Sequence, residues 1–155
     1  MGDLTKNFSM AEFLVSDTAD LLGIENTPTK AHDLNIRQRL APGMQSIRDI
    51  LGVAVVLTSA YRNPRVNRAV GGTPTSAHPL GYAGDFRAAG LSPWRVAHIL
   101  AEEMKPGGRL HGKVDQLILE TSRNIVHVSF DPRARGQVKT QKGPAGSSIV
   151  WGLVR

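Results

Sequence analysis

His78, Asp85 and His127 are the residues of this chain whose types and spacing could do chemistry. Two imidazoles and one carboxylate form the set with which a protein holds a catalytic zinc ion while leaving a fourth position open for water. His78 and Asp85 sit in the run Ser76-Ala77-His78-Pro79-Leu80-Gly81-Tyr82-Ala83-Gly84-Asp85, and His127 follows in His127-Val128-Ser129. The first two are too far apart for simple helical i, i+4 spacing, so a loop must make them converge. Gly81 and Gly84 mark tight backbone passages in that loop, and Ala83 a place where bulk is excluded. A bare His-x6-Asp is more often a satisfied loop histidine and a capping aspartate. The surrounding pattern is what raises this pair above that reading.

An independent constraint comes from Gln116–Glu120 and Ile125–Phe130, which read as two strands joined by the four-residue loop Thr121-Ser122-Arg123-Asn124. That loop length sets Glu120 opposite Ile125, Ile118 opposite His127 and Gln116 opposite Ser129. Residues two apart share a face, so Glu120 and His127 project to one side and Asp115 to the other. A hydrolase needs such a carboxylate near its metal ligands as general base. A register slip of one residue would turn Glu120 away. Upstream, Arg62 follows a strand exit in Thr58-Ser59-Ala60-Tyr61-Arg62-Asn63-Pro64. A guanidinium there suits a substrate carboxylate or a developing oxyanion. Taken alone, it is more often a surface arginine paired with an acid.

The elements that must position these groups follow from local signals. Ser9 and Glu12 form a capping box flanked by Phe8 and Phe13, so a helix starts there. It runs to Leu22, with a break near Ser16-Asp17 and a stop at Gly23. A second helical region covers 31–51, where Pro42-Gly43 imposes a kink or a division. Val53–Thr58 reads as a buried strand, Ser92-Pro93 starts another helix, and 148–154 reads as an edge strand. These elements predict an α+β fold, helices packed on a small, mainly antiparallel sheet. The whole of 1–155 reads as one domain, with 1–51 a helical scaffold and 52–155 the metal-site portion.

Composition narrows the chemistry. No cysteine is present, so disulfides, thiolate-ligated zinc and thiol catalysis are excluded. Hydrophobic content of 41% and charged content of 21% describe a globular chain. The net charge of +6 and a pI near 10.2 favour polyanionic surroundings: nucleic acid, anionic wall polymers and lipopolysaccharide all qualify. Arg133, Arg135, Lys139 and Lys142 read as a solvated basic loop, because no aromatic residues are interleaved as a base-stacking platform requires. Specific nucleic-acid binding is therefore not expected. His32, His98 and His111 have no patterned partner and read as structural or solvated.

With these residues in view, the chain resembles the zinc D-alanyl-D-alanine carboxypeptidase family, relatives of VanX and of phage L-alanyl-D-glutamate endolysins with a hedgehog-like metallopeptidase fold. The family pattern Ser-x-His-x-x-Gly-x-Ala-x-Asp is met by Ser76, His78, Gly81, Ala83 and Asp85. His127 in His-Val-Ser matches the last ligand, and Arg62 after Ser59-Ala60-Tyr61 the substrate-side arginine. Asp115 to Glu120 and Phe8 to Phe13 resemble the compact phage-type members. The resemblance implies one catalytic zinc on His78, Asp85 and His127. It implies catalytic roles for Glu120 and Arg62, and substrate contacts at Arg62, Tyr61, Ser76 and Ser129. Several relatives carry an acid three residues before the last histidine, where Asn124 stands here, so the base role moves to Glu120 or is lost. Many also carry Trp where this chain has Ile125.

The implied function is a peptidoglycan hydrolase of the phage or prophage endolysin type, cleaving the stem peptide as a D,D-carboxypeptidase or an L-Ala-D-Glu endopeptidase. The alternative, motivated by Asn124, is a virion-associated structural or wall-binding protein that keeps the fold without turnover. The opening residues lack the apolar core of a signal peptide, and no apolar run is long enough to span a bilayer. The expectation is synthesis in a host cytoplasm and action in the wall or periplasm after delivery by lysis proteins or a virion.

Overall fold

The computed structural model describes residues 2–144 and 146–155. Helix α1 spans Met10–Leu14, and the Glu12 carboxylate accepts the Ser9 N–H at 2.7 Å as the capping box requires. Phe8 and Phe13 flank it with ring centroids 5.8 Å apart, both buried. The expected break is present. Helix α2 spans Asp17–Leu22, begins at Ser16, whose hydroxyl accepts the Ala19 N–H, and ends at Gly23.

The second helical region runs as α3 (Lys30–Asn35), a π-helical turn (Ile36–Leu40) and α4 (Ala41–Leu51). The irregularity lies just ahead of Pro42 rather than at it. Proline offers no N–H and its ring presses on the carbonyl four residues back, so the turn before it widens. The Ala41 N–H accordingly bonds the Ile36 carbonyl. Ile36, Leu40, Met44 and Ile47 remain fully buried, so the widened turn still faces the core.

Six strands form one sheet in the order β1-β2-β4-β3-β5-β6, with β1 at Val55–Ser59, β2 at Ala83–Ala88, β3 at Gln116–Glu120, β4 at Ile125–Ser129, β5 at Gln137–Gln141 and β6 at Ile149–Trp151. Every pairing is antiparallel except β3 with β5. The predicted α+β class and the register Glu120↔Ile125, Ile118↔His127 and Gln116↔Ser129 are both present. Helix α6 (Pro93–Glu103), capped by Ser92, packs with α4 against one face. Phe86, Leu117, Leu119, Val126 and Val128 fill that side, and the opposite face carries the polar residues.

Several expectations need correction. The strand read as buried is an edge strand, with Val56 60% exposed, because only β2 pairs with it. Asp85 lies on a central strand rather than in a loop. The segment read as a solvated basic loop supplies β5, which extends the sheet beside β3. A short helix α5 (Pro64–Ala69), capped by Asn63, follows Arg62.

Two glycines hold the helical part against the sheet. Gly84 faces the core, where an added Cβ would stand 3.1 Å from Leu57 Cδ2 and 3.7 Å from Met44 Sδ. Gly81 has φ +81, and an added Cβ would stand 2.7 Å from the His32 carbonyl oxygen of α3. Gly81→Ala is expected to cost about 1–3 kcal/mol through backbone strain and this contact. It should also displace the turn carrying His78, so thermal unfolding and metal titration should both register the change. Among the described residues, no helix is long and apolar enough to cross a membrane.

Candidate metal centre

His78, Asp85 and His127 each present one donor atom, and the three atoms lie within 4.8 Å of one another. Asp85 and His127 are directly paired residues of β2 and β4, so sheet register alone brings them together. His78 arrives from a 3₁₀ turn (His78–Leu80) closed by Gly81 and held to α3 by the Asn35 amide, which donates to the Leu80 carbonyl. The His78 Nδ1 lies 2.6 Å from the Ala60 carbonyl oxygen. A carbonyl can only accept, so Nδ1 carries the proton and Nε2 is left with a lone pair.

That lone pair faces Asp85 Oδ1 at 3.2 Å, and the same oxygen lies 2.8 Å from His127 Nδ1. Burial pushes the His78 imidazole below its ordinary value against the pull of Asp85, so the ring is neutral near pH 7. Burial opposes charge on Asp85 as well. The two neighbouring imidazoles, 3.2 and 2.8 Å from Oδ1, outweigh it and hold the carboxylate well below the usual range. Asp85 Oδ2 is buried without any hydrogen-bond partner among the described residues. Electron-rich atoms converging in a buried place, with a carboxylate oxygen left over, suit a divalent cation. The donors fit zinc: two imidazoles and a carboxylate, with the second nitrogen of His78 fixed by a backbone carbonyl.

His78 and His127 line a cleft of about 520 Å³, with Asp85 buried behind them. Glu120 lines it from β3, buried on the same sheet face as His127, as the hairpin reading requires. Arg62 lines it from the exit of β1. It is 7% exposed, Nη1 reaches Ser59 Oγ at 3.4 Å, and Nε has no partner among the described residues. Desolvation lowers the proton affinity of this guanidinium, with Asp85 opposing and Arg123 reinforcing. Ser76 also lines the cleft, and its hydroxyl accepts the His78 N–H.

Two expected substrate contacts are not in the cleft lining. Tyr61 is buried in the core with its hydroxyl 3.3 Å from His32 Nδ1. Ser129 is fully buried and its hydroxyl accepts the Gln116 N–H. Asn124 occupies a left-handed turn position, φ +54, which asparagine tolerates better than most side chains.

Arg123 was missed by sequence reasoning. Its Nε and Nη2 lie 3.1 and 2.5 Å from Glu120 Oε1, and Nη2 stands 3.7 Å from Asp85 Oδ2. The available signal was its place as the basic residue of the hairpin loop, beside Glu120.

Asp115 precedes β3 and lines the cleft together with Arg133 and Arg135, rather than facing away, because strand alternation does not extend to it. Its carboxylate accepts the Arg135 backbone N–H at 3.0 Å and Nε and Nη2 at 2.8 Å each. The Arg135 side-chain bonds, opposed by desolvation and aided by the backbone bond, hold its pKa below the ordinary carboxylate value. A depressed folded-state pKa stabilises above the unfolded value near 3.9, and that contribution is lost as pH falls through the folded value. Asp115→Asn should therefore cost about 1–3 kcal/mol near neutral pH. Urea unfolding followed from pH 6 to 3 should show a smaller loss of stability in the variant than in the wild type.

No curated protein sequence matches the chain. A family model described as Peptidase M15 matches residues 6–129, from ahead of the capping box through all three donors. The match covers most of the chain, and the protein belongs to the peptidase M15 family, a family of metallopeptidases.

Proposed function

We propose that the protein is a zinc-dependent peptidase that cleaves the stem peptide of peptidoglycan. The observation that carries this reading is the convergence of His78, Asp85 and His127 beside buried Glu120 in one cleft of a peptidase M15 chain. His78 Nε2, an Asp85 oxygen and His127 Nδ1 would hold the ion. Zinc there would supply Lewis acidity, polarising the scissile carbonyl and making water more acidic. Glu120 accepts the proton of the attacking water at a carboxylate oxygen and hands it to the leaving amine. Arg62 donates to the carbonyl oxygen as it gains charge, or to a substrate carboxylate. Gln116 and Ile118 form the floor over which the peptide lies. Phage or prophage endolysin is the role proposed for this activity, with delivery to the wall by lysis proteins or a virion. The basic surface is suited to anionic wall polymers there.

The engagement of Glu120 by Arg123 favours a second reading, a virion or wall-binding protein that keeps the metal and has lost turnover. Chelation separates the two. Treatment with a strong chelator should abolish release of new amino groups from purified peptidoglycan, and added zinc should restore it. Stoichiometric zinc with no amine release from any sacculus would establish the second reading instead.

A further inference from the structure

We propose that Arg123 is a carboxylate-binding residue of the cleft, and that its ligand is the substrate carboxylate on the carbon attached to the leaving amine. The inference rests on the peptidase reading above and names the chemistry beside the cut bond.

Arg123 is aimed rather than loose. The Arg87 guanidinium of β2 donates to the Asn124 and Arg123 carbonyls at 2.9 and 3.1 Å, pinning the hairpin loop from one side. From the other side the Thr121 N–H bonds the Gln141 carbonyl and the Ser122 hydroxyl bonds the Gly143 carbonyl. The side chain lines the cleft at 42% exposure, and Glu120 engages only Nε and Nη2. No hydrogen bond engages Nη1 among the described residues, so part of the donor fork is available to a second acceptor.

Charge calls for that acceptor. Of the cleft's four guanidiniums, Arg135 is paired with Asp115 and Arg133 with Asp131, and the other two, Arg62 and Arg123, face two carboxylates, Asp85 and Glu120. They balance one for one, so a divalent cation on the donors leaves the cleft with an excess of two positive charges. In a partly desolvated site, such an excess selects an anionic substrate. Arg62 leaves β1 and Arg123 the β3–β4 hairpin, so the two flank the donors carried on β2 and β4.

The leaving side follows from Glu120. Arg123 is bonded to the group that passes its proton to the leaving amine, so a carboxylate one carbon from that nitrogen comes within its reach. Both stem-peptide bonds left open above share this feature. In a D-Ala-D-Ala cut it is the terminal carboxylate, and in an L-Ala-D-Glu cut it is the α-carboxylate of γ-linked D-glutamate. The incoming carboxylate takes Arg123 from Glu120 and frees a Glu120 lone pair for the proton. A guanidinium fork matches a carboxylate in two parallel bonds, which an ammonium does not reproduce.

The test uses two peptide pairs: acyl-D-Ala-D-Ala against its C-terminal amide, and L-Ala-γ-D-Glu-Lys with the glutamate α-carboxylate against its α-carboxamide. Binding to zinc-loaded protein is measured by calorimetry in the slow Glu120→Gln background, and KM and kcat with Glu120 intact. The carboxylate member of one pair should bind at least about tenfold tighter than its amide. Arg123→Ala should bring that ratio close to one, chiefly through KM, and Arg123→Lys should keep an intermediate ratio. The pair that shows the preference identifies which carboxylate is read. Equal binding of both members of both pairs, no binding of any peptide, or a preference that survives Arg123→Ala would overturn the assignment. If the preference is present and lost with Arg123 while nothing is cut, the subsite stands and the peptidase reading falls.

Discussion

His127→Ala is expected to leave a folded protein that no longer retains a metal ion through dialysis. Its peptide hydrolysis should fall by about a thousandfold or more, since a Lewis acid contributes several kcal/mol of transition-state stabilisation. His127 is the choice among the three donors because it is partly exposed at the cleft, whereas His78 is buried and bonded to the Ala60 carbonyl. The effect should also be visible without any substrate. A metal present at a thousand times its dissociation constant adds about 4 kcal/mol of stability, which for a chain of this size is a rise in Tm of order 10 °C. The wild type should show that rise on addition of zinc and the variant should not. A wild type whose melting is indifferent to zinc would remove the metal centre itself.

Glu120→Gln should lower kcat by about a hundredfold to ten-thousandfold, the range supplied by a general base. Zinc content and the zinc-dependent rise in Tm should stay at wild-type values. The amide keeps the shape of the side chain but cannot accept the proton. The control is Asn124→Asp in the Glu120→Gln background, which restores the acid found in several relatives. Asn124 is exposed at a left-handed turn, so an acid there should not rescue turnover. Rescue would move the base to position 124 and leave Glu120 as a partner for Arg123.

The parts of the fold set by short-range chemistry were legible. The capping box at Ser9, the stop at Gly23, the cap at Ser92 and the β3–β4 register all follow from local residues, and the structure has them. The register mattered most, since a four-residue loop between two apolar runs is enough to set Glu120 and His127 on one face. Strand β2 was not legible. Ala83-Gly84-Asp85-Phe86-Arg87-Ala88 shows no β-branched residues and only a short alternation that rests on glycine and alanine, because Gly84 makes room for Met44 and Leu57 while Asp85 serves the metal face. Strand β5, Gln137-Val138-Lys139-Thr140-Gln141, is polar for a related reason: part of it faces the cleft rather than the core. Tyr61 and Ser129 match the family pattern, but their hydroxyls are spent on His32 and on the Gln116 N–H. Arg123 looked like any loop arginine, and only the three-dimensional closeness of Glu120 and Asp85 gives it a role.

The most direct test of the central claim is mass spectrometry of defined muropeptides after incubation with zinc-loaded protein. The account predicts one new product: loss of a single terminal alanine for a D,D-carboxypeptidase, or release of the peptide beyond its first L-alanine for an L-Ala-D-Glu endopeptidase. Muropeptides that remain intact while zinc stays bound at one ion per chain would contradict it.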